Sequence, residues 1–255
     1  MKLDMFDLSG RVAVVTGGNS GIGRAIAEGL AEAGANIVIC ARRLGLCQKA
    51  CSEIEELGVK SLPIRCDVTN TGEVNNVIDT TIKEFGRLDI LVNNAGVGEG
   101  EKPVIEISDE NWDRTMNINV RGAFLFSRAA AKEMIKQKSG KIINIVSICS
   151  FSATQNSAEY CASKGALLQL TRALALELAN YNIQVNSIAP GVVDTPMAHE
   201  YLATEEGKRD IQLYTPMGRP GHPSEFKGAA IYLASPASSF TTGSCILVDG
   251  GYMLR

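Results

Sequence analysis

Tyr160 and Lys164 stand four residues apart in the run SAEYCASKGAL, residues 157–167, among small residues that tolerate a helix. At that spacing both side chains lie on one helical face and can meet. A phenol, with a reference pKa near 10, is a poor base at neutral pH. An adjacent ammonium favours phenolate and is expected to lower that value by about a unit or more. Such a pair can exchange a proton with an alcohol or carbonyl oxygen. Ser147, at the end of the apolar run INIVS, offers a hydroxyl that can position the same oxygen and stabilise charge developing on it.

Other chemistries find less support. A serine hydrolase would need a histidine base beside its nucleophile and a sharp GxSxG turn, and IVSICS supplies neither. Cys149 and Cys161 flank the site without an activating base nearby in the sequence, so both read as pocket-wall or packing residues. Cys47 and Cys51 lack partners at finger-like spacing, and His199 and His222 are the only histidines, so no metal site is expected. His199 is expected at the surface.

A second constellation lies near the front of the chain. TGGNSGIG, residues 16–23, follows an apolar run and opens a helical pattern. Gly17, Gly21 and Gly23 would allow a tight turn, approach of backbone to a pyrophosphate, and close helix–sheet packing, with Asn19, Ser20 and Ile22 between them facing the phosphates. About 20 residues on, NAD enzymes place a carboxylate on the ribose hydroxyls. Here the second apolar run ends ICARR, with Ala41 where the acid would stand and Arg42 beyond it. A guanidinium fork suits a 2′-phosphate, so NADP(H) is expected over NAD(H). Asp67 and Val68 close a third run and can meet the adenine. Asn94, Ala95 and Gly96 close a fourth and let backbone approach a ligand.

These residues sit at the ends of seven nearly continuous apolar runs: RVAVVTGG, ANIVICA, SLPIRCDV, LDILVNNAG, GKIINIVS, IQVNSIAPG and SCILVDGG. Continuous rather than alternating apolarity marks strands buried on both faces. Helical patterns alternate with them, which specifies right-handed βαβ crossovers and a mostly parallel sheet in a three-layer αβα fold. Residues 190–221 break the rhythm with Pro, Gly and charge around a short helical piece near Ala198 to Gly207, as suits a lid or substrate loop. In EGEKPVIEISDE, residues 99–110, Ser108 is an expected N-cap with Asn111 at the third position, and the preceding loop is expected to border the substrate. No linker divides the 255 residues, so a single domain is expected.

Composition narrows the class. With 45% hydrophobic and 21% charged residues and no apolar run near the roughly 20 needed for a bilayer, no membrane segment is expected. A net charge of −3 with scattered basic residues argues against nucleic acid. The acidic N-terminal stretch shows no export signal, and seven cysteines suit free thiols in the cytoplasm.

TGGNSGIG, NNAG, Ser147 with YCASK thirteen residues on, VNSIAPGVVDTPM and the terminal GSCILVDGG, in that order, resemble the classical short-chain dehydrogenase/reductase family over essentially the whole chain. The resemblance implies a seven-stranded Rossmann-type sheet, a homotetramer, and hydride transfer between a nicotinamide and a carbonyl or alcohol carbon. It implies that Tyr160 is the general acid in reduction and the base in oxidation. Lys164 would hold the nicotinamide ribose and tune the phenol, and Ser147 would orient the substrate. Asn119 would distort a central helix and hold a water linking Lys164 to solvent. Pro190, Gly191 and Val193 would approach the nicotinamide, and Thr195 its carboxamide or the phosphates. NADP-preferring relatives often have a basic residue where this chain has Ser20, which leaves the extra phosphate to Arg42, with Arg43 or Asn19 in support. The chain looks most like gluconate 5-dehydrogenase-like members and nearly as much like 3-oxoacyl-carrier-protein reductases. A dinucleotide-binding scaffold without catalysis is the alternative of another class.

Overall fold

The computed structural model describes residues 4–98 and 102–254. The seven apolar runs become seven parallel strands: β1 (Val12–Thr16), β2 (Asn36–Ala41), β3 (Ser61–Arg65), β4 (Ile90–Asn93), β5 (Gly140–Ile145), β6 (Ile183–Pro190) and β7 (Cys245–Val248), in the spatial order β3-β2-β1-β4-β5-β6-β7. Successive side chains alternate between faces and both faces are covered. Ala13, Val15, Ile37 and Ile39 pack on one side with Ile26, Leu30, Phe226 and Leu233, from α1 (Gly21–Glu32), α9 (Lys227–Ala234) and the turn before it. Val12, Val14, Val38 and Cys40 pack on the other with Val77, Phe126, Met134 and Leu178, from α3 (Thr71–Phe85), α5 (Ala123–Gln137) and α6 (Ala158–Leu178). α2 (Leu44–Glu55) links β2 to β3 and buries Cys47, Cys51 and Ile54.

The strand order reverses beside β1, whose neighbours are β2 and β4. Crossovers then leave to opposite faces and open a crevice at the strands' carboxyl ends, where open α/β sheets take ligands. Thr16 ties the two lips together. Its hydroxyl accepts from the backbone N–H groups of Asn94 at 3.0 Å and Ala95 at 2.9 Å.

Between α4 (Asp109–Met116) and α5, residues Asn117–Gly122 form a π-helical segment. Ser108 caps α4 as expected, accepting from Asn111 N–H at 3.2 Å. Residues 99–101 of the adjoining loop lie outside the described residues. After β6 the chain leaves and returns through a parallel bridge, Val193 to Gly221. The single helical piece expected between these points is two: α7 (His199–Ala203) and α8 (Glu205–Tyr214). Thr204 breaks them because its extended backbone and hydroxyl, accepting from Gly207 N–H at 2.9 Å, make it an N-cap for α8. Tyr201 then donates to Asp210 Oδ2 at 2.6 Å and ties the two helices together.

Candidate active site

Ser147 follows β5 with extended backbone and lines the cavity at the carboxyl end of the sheet, where a 3-10 turn (Ile148–Ser150) begins at once. Its hydroxyl accepts from Cys149 N–H at 3.2 Å. The turn is fastened to α6, since Ser150 Oγ donates to the Lys164 carbonyl at 2.9 Å. That fastening sets Ser147 and Tyr160 in one cavity wall, where the Ser147 hydroxyl favours the phenolate. Lys164, one helical turn beyond, is 5% exposed, and its Nζ lies 5.6 Å from the Tyr160 ring centroid while donating to the Ile145 carbonyl at 2.9 Å.

The electrostatics depart from the sequence-based expectation. Burial pushes the Tyr160 phenol up to about 12, the nearby Cys149 and Cys161 sulfurs add to that rise, and only the Ser147 hydrogen bond opposes it. Burial decides the direction, and Lys164, itself brought down to about 8 by burial, does not reverse it. Two groups that share one desolvated place each favour their neutral form. The phenol therefore holds its proton at neutral pH, as a proton donor should.

Asn119, buried in the π-helical segment, joins the loop after β4 to the helix of the pair. Its Oδ1 accepts from Val97 N–H at 2.8 Å, and its Nδ2 donates to the Val97 carbonyl at 2.9 Å and to Ser163 Oγ at 3.0 Å. Ser163 in turn donates to the Tyr160 carbonyl at 2.8 Å. The loop runs so near the pair that a Cβ at Gly96 would stand 3.3 Å from Asn119 Oδ1 and 3.5 Å from Lys164 Nζ.

At the other end of the crevice, Gly17 and Gly21 take positive φ, +64° and +56°, which glycine alone adopts freely. Ser20 is the N-cap of α1 yet its side chain makes no capping bond, so the helix's first N–H groups remain open to a ligand. A Cβ on Gly23 would collide with Asn94 Nδ2 and come within 2.7 Å of the Gly17 carbonyl. Gly23→Ala should therefore force the turn apart at a cost of roughly 1–3 kcal/mol, and weaken dinucleotide binding at least about tenfold in a fluorescence titration. Asp67 accepts from Thr69 N–H and Oγ at 2.9 and 2.8 Å, which holds its carboxyl below the usual range, with Arg42 and Arg65 adding to the pull. Arg42 is exposed at the rim.

One cavity of about 650 Å³ joins the two ends. Its wall includes every candidate binding residue from Gly17 to Thr195 except Gly23, and includes Ser147, Tyr160 and Lys164. Gly23 and Asn119 stand behind it as supports. Sequence reasoning missed Thr16, whose hydroxyl preceding the glycine pair was the available signal, and wall residues such as Val97 and Ile118, which carry no distinguishing chemistry. His199 is 76% exposed beside Asp194, at 3.7 Å, outside this cavity.

A family profile described as Enoyl-(Acyl carrier protein) reductase matches residues 17–253. A crystal structure of a short-chain type dehydrogenase/reductase from Mycobacterium marinum is 40% identical, with a TM-score of 0.91 over 99% of each chain. The chain belongs to the short-chain dehydrogenase/reductase family. It is accordingly an oxidoreductase, and its αβα sheet is the family's. Among short-chain dehydrogenase/reductases it resembles 2-dehydro-3-deoxy-D-gluconate 5-dehydrogenase of Dickeya dadantii, at 39% identity over 100% of both chains. It also resembles a gluconate 5-dehydrogenase of Burkholderia cenocepacia solved in complex with NADP and tartrate, at 38% identity and a TM-score of 0.95 over 99% of each. Among the described residues no helix is long and apolar enough to cross a membrane.

Proposed function

We propose that the protein interconverts a 5-keto sugar acid and its 5-hydroxy form, 5-ketogluconate and gluconate being the first pair, with NADP(H) as partner. The observation that carries the chemistry is the convergence of Ser147, Tyr160 and Lys164 on one cavity with the glycine-rich turn. The names of the similar proteins direct the substrate, since both act at position 5 of a gluconate skeleton.

The dinucleotide fits the residues present. Gly17 and Gly23 let the turn close against Asn94, Gly21 lines the cavity with no side chain, and the uncapped start of α1 would offer donors to the pyrophosphate. Asn19, Ser20 and Ile22 line that turn and Asn94, Ala95 and Gly96 the cavity; Asp67 and Val68 would border the adenine, and Pro190, Gly191, Val193 and Thr195 would hold the nicotinamide end. NADPH supplies the hydride when bound. Tyr160 gives its proton to the carbonyl oxygen, and Ser147 holds that oxygen and stabilises the charge it gains. Lys164 binds the ribose and, while charged, favours the phenolate left behind. Asn119 positions α6 through Ser163 and Val97. Residues 190–221 form the substrate loop of a single domain.

Apolar side chains left in solvent, including Phe240, Leu247 and Leu254 near the β7 edge and Trp112 and Phe124 on α4 and α5, support a homotetramer. Seven free cysteines suit the cytoplasm. Light scattering giving a monomer would refute the tetramer.

The deciding experiment follows NADPH consumption with 5-ketogluconate beside a β-ketoacyl thioester, then repeats both with NADH. Strong preference for the sugar acid supports the proposal. Preference for the thioester replaces it with 3-oxoacyl-carrier-protein reductase, and activity with neither leaves a reductase whose carbonyl substrate is another one. Arg42→Ala should raise the KM for NADPH about tenfold or more and leave that for NADH nearly unchanged, the loss of a charge-assisted contact to the 2′-phosphate. Equal effects on both cofactors would remove Arg42 from the phosphate site.

A further inference from the structure

Two thiols beside the proton donor take no part in the reaction above. Cys149 lies in the 3-10 turn that follows Ser147, and Cys161 lies in the first turn of α6, directly after Tyr160. Thr154, in the loop between them, draws their sulfurs together. Its hydroxyl is 3.3 Å from Cys149 Sγ, and its backbone N–H donates to Cys161 Sγ at 3.5 Å. Thr154 is thus the shared neighbour of both sulfurs, one on its hydroxyl and one on its backbone N–H. Burial raises the Cys161 thiol, the Thr154 N–H opposes that, and the Cys149 sulfur raises it further.

Access singles out the same pair. Cys40, Cys47, Cys51 and Cys66 are buried, whereas Cys149 and Cys161 are partly exposed. The remaining partly exposed thiol, Cys245, sits on β7 in contact with Ser187. A disulfide needs its sulfurs about 2 Å apart. Cys161 is fixed in a long helix, so closing the gap must move the shorter turn. That turn begins with the Cys149 N–H that donates to Ser147 Oγ, and its displacement is passed to Ser147.

We propose that Cys149 and Cys161 are a reversible oxidation site, joined as a disulfide by an oxidant of the hydroperoxide class, and that the bond stops turnover by drawing Ser147 away from Tyr160. One sulfur attacks the peroxide oxygen, giving a sulfenic acid and releasing water. The second sulfur attacks the first, forms the S–S bond and releases a second water. Two thiols lose two electrons and two protons, and hydrogen peroxide is reduced to two waters. The effect on turnover rests on the function proposed above; the bond itself does not.

The test treats the full chain, reduced and then freed of reductant, with hydrogen peroxide. Peptides are mapped by mass without reduction while 5-ketogluconate reduction is followed in parallel. The expected result is a peptide pair joined through Cys149 and Cys161, and a loss of turnover of about a hundredfold, the size an ångström-scale displacement of a reacting group produces. Dithiothreitol should reverse both. Cys161→Ser should keep its basal turnover and resist peroxide, and Cys149→Ser provides a second resistant variant should the first fold poorly. A bond between other cysteines, over-oxidation without a bond, inhibition that persists in both variants, or the expected bond with unchanged turnover would each overturn the proposal. Mapping needs no substrate. A chain that forms the bond but never reduces 5-ketogluconate refutes the substrate reading alone, and inhibition is then followed with the β-ketoacyl thioester.

Discussion

Tyr160→Phe should reduce turnover by roughly 10²–10⁴-fold while NADPH affinity changes little, because the ring that walls the cavity stays and only the proton donor is lost. The pH dependence should differ by direction. The phenol is pushed up to about 12, so it is protonated across the neutral range and the donor needed for reduction is always present. Oxidation needs the phenolate, and its rate should climb with pH. Reduction should be level up to about 8 and decline above it as Lys164 loses its charge. Steady-state rates in both directions over that range check all of this. Turnover unchanged in the Phe variant would move the proton to another group.

Lys164→Met carries the second large effect. Removing the ammonium should lower kcat by about a hundredfold or more and raise the KM for NADPH, since in the proposed mechanism one charge serves both the phenolate and the ribose. It should also change how stability depends on pH. In the folded protein Lys164 is lowered from 10.5 to about 8, so between those values the unfolded chain keeps a proton that the folded chain has released. Wild-type stability gains from this group as pH rises through that window, because the cost of a buried charge disappears. The Met variant lacks the gain. Urea midpoints of both proteins at neutral pH and near pH 9 should converge upward for the wild type relative to the variant, and parallel curves would refute the lowered value.

The seven strands were legible because each is a short apolar run buried on both faces, and the sequence needs no partner information to show it. Gly17, Gly21 and Gly23 were legible because a turn before a helix leaves few residue types to choose from. Ser147 and Tyr160 are thirteen positions apart, and the fastening of Ser150 to the Lys164 carbonyl, which helps bring them together, is a contact no spacing rule announces. Asn119 came from resemblance alone, for its bonds to Val97 and Ser163 join three separate elements. The direction of the Tyr160 shift was misjudged for the same reason. Sequence distance reveals a neighbouring charge, but burial is set by the whole fold, and burial decides here. At Thr204 the helical pattern ran on through a residue whose capping hydroxyl ended it.

The bridge between Val193 and Gly221 has a consequence for how such a chain can diversify. Asp194 N–H donates to the Gly221 carbonyl at 2.9 Å and Gly221 N–H to the Val192 carbonyl at 2.9 Å, which pins the two feet of the excursion to one another. Whatever lies between them can be lengthened, shortened or exchanged without re-registering β6 against β7. Thr195, at the first foot, is the one proposed cofactor residue inside the excursion, so change beyond it leaves the others in place. A lineage can try new appetites on an unchanged engine, and a graft of the segment from a relative should carry its taste for substrate across.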